Sequence, residues 1–175
     1  YLVLNKPKGV TSTAGDKFAD KKITDMVPRN FGRLYPVGRL DKESRGLIIL
    51  TNDGEFCHNA THPKFEVEKE YRVVIKGELD EVRLTALRKG VRDAEELLKV
   101  KSCSVISSKN DISELDIIIM EGKKRHIRRM MKCLSFSVLD LKRIRLGGLK
   151  LKNLAEGSFL QMDRDDIYKL VLGRT

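Results

Sequence analysis

The sequence predicts an α+β fold built on a largely antiparallel sheet. Strand-like runs outnumber helical ones, and the two kinds do not alternate in the regular rhythm that a parallel sheet requires. Of the 175 residues, 41% are hydrophobic, enough to bury a real core in one domain or a compact two-lobed one. No internal repeat, low-complexity segment or linker breaks the chain.

The first element is the apolar strand-like run at residues 1–4, followed by the turn-forming KPKG. There is no initiator methionine and no lead-in, so a segment upstream is expected to be missing. From Leu34 a short apolar stretch containing Pro36 leads into the polar loop GRLDKESRG and then the run 47–50, read as a buried strand. TNDG supplies caps for a short helix at about 55–60. In YRVVI, Tyr71, Val73 and Ile75 share one strand face and Arg72 and Val74 the other. Residues 80–89 read as a helix stopped by Gly90. Further strands are expected near 98–106, 115–120, 138–144 and 158–162, and Asp163 caps a last helix ending at Gly173.

One helix, expected over about 123–134, has more to say. Ile127, Met130, Met131 and Leu134 fall at i, i+3, i+4 and i+7, a stripe facing the core. At about 100° per residue, Arg125 and Arg129 point nearly opposite it, while Arg128 sits at its flank, roughly 110° from the centre, where it can reach into a cleft.

Charge restricts the partner. Lys and Arg number 35 against 25 Asp and Glu, a formal +10 with a pI near 9.6, which suits a polyanion. No stretch approaches the roughly 18 to 20 apolar residues of a membrane helix, and no secretory pattern opens the chain, so a soluble cytoplasmic protein without a membrane partner is expected. Cys57, Cys103 and Cys133 are widely spaced and expected to be reduced and buried. His58 and His62 stand at helical spacing with no second ligand pair, and no carboxylate or histidine cluster forms around Asp16, Asp25 or Asp53, so no metal is expected and a metal-dependent phosphoesterase is disfavoured.

Asp41 lies in a polar loop between two apolar segments, so its carboxylate should emerge at the edge of a core. Local sequence leaves two readings open: a preorganised catalytic group, or an aspartate that closes a turn on its own backbone. The wider pattern adds a witness. GRLDKESRGLIILTNDG, followed by a short helix and THP, resembles the motif of the RsuA-type ribosomal RNA pseudouridine synthases at every position from Gly38 to Gly54. KEYRVVIKG, EGKKRHIRRM and the opening LNKPKGV fall in the family's order, and RIRLGGLKLKNLAEGSFLQM resembles its closing strands. The one departure is His126, where glutamine is commoner.

The resemblance implies a pseudouridine synthase fold: a mostly antiparallel mixed sheet with flanking helices and a central basic cleft. It also implies an isomerisation in which uracil is detached from its ribose through nitrogen, turned, and reattached through carbon. By analogy Asp41 is the catalytic carboxylate, and whether it attacks sugar or base or removes a ribose proton stays open. Arg128 corresponds to the basic residue that pairs with that carboxylate and keeps it ionised, and Tyr71 to a tyrosine able to stack on the extruded base. Leu146 lines the base pocket by the same analogy, and Leu40 contacts substrate. Lys123, Lys124, Arg125, Arg129 and Lys132 are read as one basic face, and Arg39, Lys42 and Arg45 as flanking the catalytic loop. These contact phosphates while the target base is flipped out.

Substrate and product are isomers, so no cofactor is implied. The expected partner is ribosomal RNA or a ribosome assembly intermediate, bound by a monomer. Residues 1–175 are read as one catalytic domain without the N-terminal S4-type RNA-binding domain that members often carry. The rival reading is a noncatalytic ribosomal RNA binding or assembly factor, against which Asp41, Tyr71 and Arg128 all argue by being present.

Overall fold

Strand β1, Leu2–Lys6, is buried at all five positions because it has a neighbour on each side. The computed structural model describes residues 1–173 and divides into two compact units: Tyr1–Val67 with the chain from Arg143 onward, and Glu68–Lys142.

In the first unit the chain leaves β1 through a long loop holding two short 3₁₀ turns, Ile23–Met26 and Arg29–Phe31, and reaches the two-residue β2, Tyr35–Pro36. β3, Arg45–Thr51, follows the polar loop and is buried at six of its seven residues. It pairs antiparallel with β1 from Leu2 opposite Leu50 to Lys6 opposite Gly46, and with β2 at Thr51 and Leu50. Helix α1, Gly54–Thr61, starts where expected: the Asp53 carboxylate accepts from the Phe56 amide at 2.9 Å.

The second unit opens with β4, Lys69–Lys76, whose burial alternates residue by residue and puts Tyr71, Val73 and Ile75 inside, as expected. Helix α2, Glu81–Lys89, is capped by Asp80 and stopped by Gly90 at φ +101°. The strand expected at 98–106 divides instead. A short hairpin comes first, β5 (Val91–Asp93) and β6 (Glu96–Leu98), turning at Ala94 with φ +52°. A strand then resumes as β7, Ser102–Lys109. Nothing marked that hairpin in advance, because neither turn residue is the glycine or asparagine such a turn favours. β8, Ile112–Ile119, follows through Asn110 and Asp111, both with positive φ, and pairs antiparallel with β7 and, along its full length, with β4.

Helix α3, His126–Cys133, begins later than the sequence pattern suggested. Arg125 adopts φ +51°, ψ 32°, a left-handed conformation that no helix interior admits, so Lys123, Lys124 and Arg125 form the turn before the helix. Ile127, Met130 and Met131 are buried as expected.

β9, Ser137–Leu146, carries the chain back to the first unit. There Leu149–Lys150 forms β10 against Leu146 and Arg145, and Phe159–Gln161 forms β11 against the outer side of β1. Helix α4, Arg164–Leu172, ends at Gly173 with φ +66°. Asp163 occupies the cap position of α4, but its side chain makes no capping bond. The core of this unit gathers Val3, Leu47 and Ile49 from the sheet with Phe56 and Ala60 of α1 and Ile167 and Val171 of α4. No described helix is long and apolar enough to cross a membrane.

The cysteines depart from expectation. All three are free, but only Cys103 is buried; Cys57 is half-buried and Cys133, on the outward face of α3, is exposed.

Candidate active site

The loop that carries Asp41 is held from beneath by the segment that follows β1. Lys6 is wholly buried, and its Nζ donates to the carbonyls of Val10 at 2.8 Å, Pro7 at 2.9 Å and Lys42 at 3.4 Å. Burial brings its ammonium down to about 8, against the pull of the nearby Glu43, Asp41 and Glu156 carboxylates. The Gly9 amide donates to the Lys42 carbonyl at 2.8 Å. Ser12, also buried, grips the residue just before the aspartate twice: its hydroxyl donates to the Leu40 carbonyl at 2.8 Å and accepts from the Leu40 amide at 3.1 Å. Asp41 is left half-buried, with its own carbonyl accepting from the Ser44 amide at 2.9 Å. The loop is thus fixed through its backbone, which leaves the carboxylate available for chemistry.

Gly46 closes the loop. Its φ is +107°, and a Cβ there would lie 2.3 Å from the carbonyl oxygen of Arg143. Only glycine lets β3 come that close to the buried Arg143, whose Nε donates to the Leu47 carbonyl at 2.7 Å.

The cations expected around this loop fare differently. Arg39 is exposed and makes no ion pair among the described residues. Lys42 pairs with Asp20 at 3.0 Å, and Arg45 with Glu156 at 3.3 Å. Leu40 and Leu146 are both buried, and Leu146 packs in the core beside Leu47 and Leu149.

The second unit carries the other candidates. Tyr71 is 7% exposed on β4 opposite Ile117, and its hydroxyl makes no hydrogen bond among the described residues. Arg128 is half-buried on α3, with Nη1 donating to the Val138 carbonyl at 3.4 Å. Arg129 binds Asp93 at 2.5 Å and Glu96 at 2.7 Å, both on the β5–β6 hairpin. Lys123 pairs with Glu121 at 3.1 Å and Glu96 at 3.5 Å. Lys124, Arg125 and Lys132 are exposed and without ion pairs among the described residues. The basic face is therefore partly neutralised within its own unit.

Asp53, considered from sequence only as part of the α1 cap and as a rejected metal ligand, is tied into the first unit at several points. It caps α1, and its Oδ2 accepts from the hydroxyls of Tyr1 and, at 2.8 Å, Tyr168. Burial opposes its ionisation, but the Phe56 amide and the two hydroxyls bring its carboxyl below the usual range. Among the described residues no three His, Cys, Asp or Glu side chains converge as metal ligands would.

Lys6, Gly9 and Ser12 were missing from the sequence-level site. Lys6 and Gly9 left a trace in the LNKPKGV block, which named a resemblance without saying that it supports the catalytic loop, and Ser12, two residues beyond it, left none.

Fold and loop together define a class: a basic α+β domain that presents the half-buried Asp41 carboxylate from a turn fixed through its backbone. The chain belongs to the RNA pseudouridylate synthase family, whose model matches residues 1–132. It is 35% identical over 172 residues to ribosomal large subunit pseudouridine synthase B of Bacillus subtilis (strain 168), covering 97% of this chain and 70% of that protein. To the protein of the same name from Haemophilus influenzae it is 36% identical over 168 residues, 95% of this chain and 47% of the other. A crystal structure of a pseudouridylate synthase superposes with a TM-score of 0.84 at 29% identity, covering 97% of this chain and 73% of that one.

Proposed function

We propose that the protein isomerises uridine to pseudouridine in large-subunit ribosomal RNA, with Asp41 as its essential carboxylate. The family supplies the reaction, and the relatives' names supply the RNA. The observation that carries the role of Asp41 is the loop itself: Lys6, Gly9 and Ser12 all bond the backbone on either side of position 41 and none takes up its carboxylate. A group that merely closed a turn would be bonded through its side chain to the local backbone, and no such bond is made among the described residues.

Tyr71 and Arg128 complete the reading by the same family analogy. The tyrosine offers an aromatic ring with an uncommitted hydroxyl for the extruded base, and a guanidinium is the cation suited to keeping a catalytic carboxylate ionised. No redox or group-transfer partner is required, because every atom of the substrate is retained in the product.

Asp41→Asn preserves size and leaves the backbone bonds intact, so it should bind ribosomal RNA as the parent does and form no pseudouridine. Mapping pseudouridine across both large ribosomal RNAs, with and without each protein, checks this. Turnover by the variant refutes the role of Asp41, and no modified position with the parent refutes the function.

A further inference from the structure

Between β1 and the first 3₁₀ turn the chain makes a closed loop. Its neck is fastened by the Thr11 amide on the Lys21 carbonyl and the Ile23 amide on the Thr11 carbonyl, each at 2.9 Å. At its tip Phe18 is 95% exposed. An exposed phenylalanine by itself requires no partner, but here its ring stands among cations, an arrangement that suits a base-stacking ligand.

The charges nearby say which kind. Each carboxylate of the loop is already committed: Asp16 accepts from the Phe18 amide at 2.9 Å, Asp20 pairs with Lys42 at 3.0 Å, and Asp25 accepts from the Lys22 amide at 2.9 Å. The lysines interleaved with them, Lys17, Lys21 and Lys22, have no ion pair among the described residues. At the base of the loop an open groove of about 220 Å³ is lined by Ala14, Thr24, Asp25, Arg29 and Arg33 among others. Arg33 lies over the ring of Tyr35, 5.2 Å from its centroid, and that ring is 42% exposed. Exposed rings alternating with unpaired cations are how a protein surface holds single-stranded nucleic acid: the rings stack on bases and the cations follow the phosphates. A protein partner would instead favour a broader apolar patch with fewer charges at its centre.

We propose that this surface binds a single-stranded segment of the RNA substrate, with Phe18 stacking on an unpaired base and Lys17, Lys21, Arg29 and Arg33 on the phosphates. The proposal rests on the functional reading above and places the contact. The loop is fastened to the Asp41 segment at two points, Ser12 on Leu40 and Asp20 on Lys42, so RNA held by Phe18 is anchored beside the catalytic turn.

The chain contains no tryptophan, so F18W introduces a single fluorophore at the tip. A twelve-residue oligouridylate should quench its emission and saturate, whereas inorganic polyphosphate, which has charge but no bases, should leave it unchanged. F18A should bind fluorescein-labelled oligouridylate about fivefold to a hundredfold more weakly than the parent, at an unaltered melting temperature. Unmoved F18W emission while anisotropy shows the oligonucleotide bound overturns the proposal. So does equal quenching by polyphosphate, or quenching by ribosomal protein but not by protein-free RNA. Pseudouridine formation by the parent on ribosomal RNA is followed in parallel: its absence sinks the functional reading, whereas its presence with an unresponsive F18W sinks only the surface.

Discussion

Gly46 shows how much of the loop depends on one missing carbon. Its positive φ alone costs a side chain about 1 to 3 kcal/mol, but the greater obstacle is the Arg143 carbonyl 2.3 Å from where a Cβ would stand, and backbone cannot step aside as a flexible side chain can. Gly9 provides the control, since it too has positive φ, +82°, yet nothing lies within 4 Å of its Cβ position. Gly46→Ala should therefore lose about 3 kcal/mol or more in urea denaturation, and Gly9→Ala about 1 kcal/mol; equal losses would mean that strain alone, without the close approach, sets the requirement. The glycine was visible in GRLDKESRG as a matched position, and Asp41 with it. What the string could not convey was the support. Ser12 acts on the backbone of Leu40, and Lys6 joins the nearby carbonyls of Pro7 and Val10 to that of distant Lys42, and backbone acceptors look alike in every sequence. A buried lysine is also rare enough that the natural reading of KPKG is a solvated turn.

At the scale of elements, periodicity served well wherever packing and local preference agreed: β3, β4, α1 and α2 lie within a residue or two of expectation. It failed at the start of α3, where the left-handed Arg125 cuts off a turn that the charge pattern suggested was helical. The first residue after that break is His126, 3% exposed, with neither ring nitrogen in a hydrogen bond of ordinary geometry. Burial lowers its pKa, helped by Lys123 and Arg129 and opposed by Glu121 and the Lys99 backbone. The folded protein therefore protonates this imidazole less readily than the unfolded chain, which takes up the proton below about 6.5. Stability contributed by the neutral ring is present above that pH and declines as pH falls from about 6.5 towards the lower folded value, by at most about 1.4 kcal/mol per pH unit. His126→Gln removes the titration, so its urea midpoint should vary less than the parent's between pH 6.5 and 5. Parallel curves would show that His126 is not the group responsible.

Across the whole molecule, the formal charge of +10 overstates what RNA can use, because a cation already paired with a carboxylate releases no counterions when a phosphate arrives. From sequence, Arg125 and Arg129 look equivalent, four residues apart on the same side of a helix. Their surroundings separate them: Arg129 holds Asp93 and Glu96 and so ties α3 to the β5–β6 hairpin, whereas Arg125 is exposed and has no ion pair among the described residues. The hairpin that makes the difference had no signal of its own in the sequence, so neither did the difference. Plotting the logarithm of the binding constant for a ribosomal RNA fragment against the logarithm of salt concentration tests it. Arg125→Ala should flatten the slope by about 0.7 to 0.9, the loss of one phosphate contact, with little change in stability. Arg129→Ala should leave the slope near the parent's and instead lower the urea midpoint modestly, because Asp93 loses its partner and Glu96 keeps only Lys123. The reverse assignment, a flattened slope for Arg129→Ala and none for Arg125→Ala, would mean that the hairpin releases its arginine when RNA binds, and that the paired cations are a reserve exchanged for phosphate.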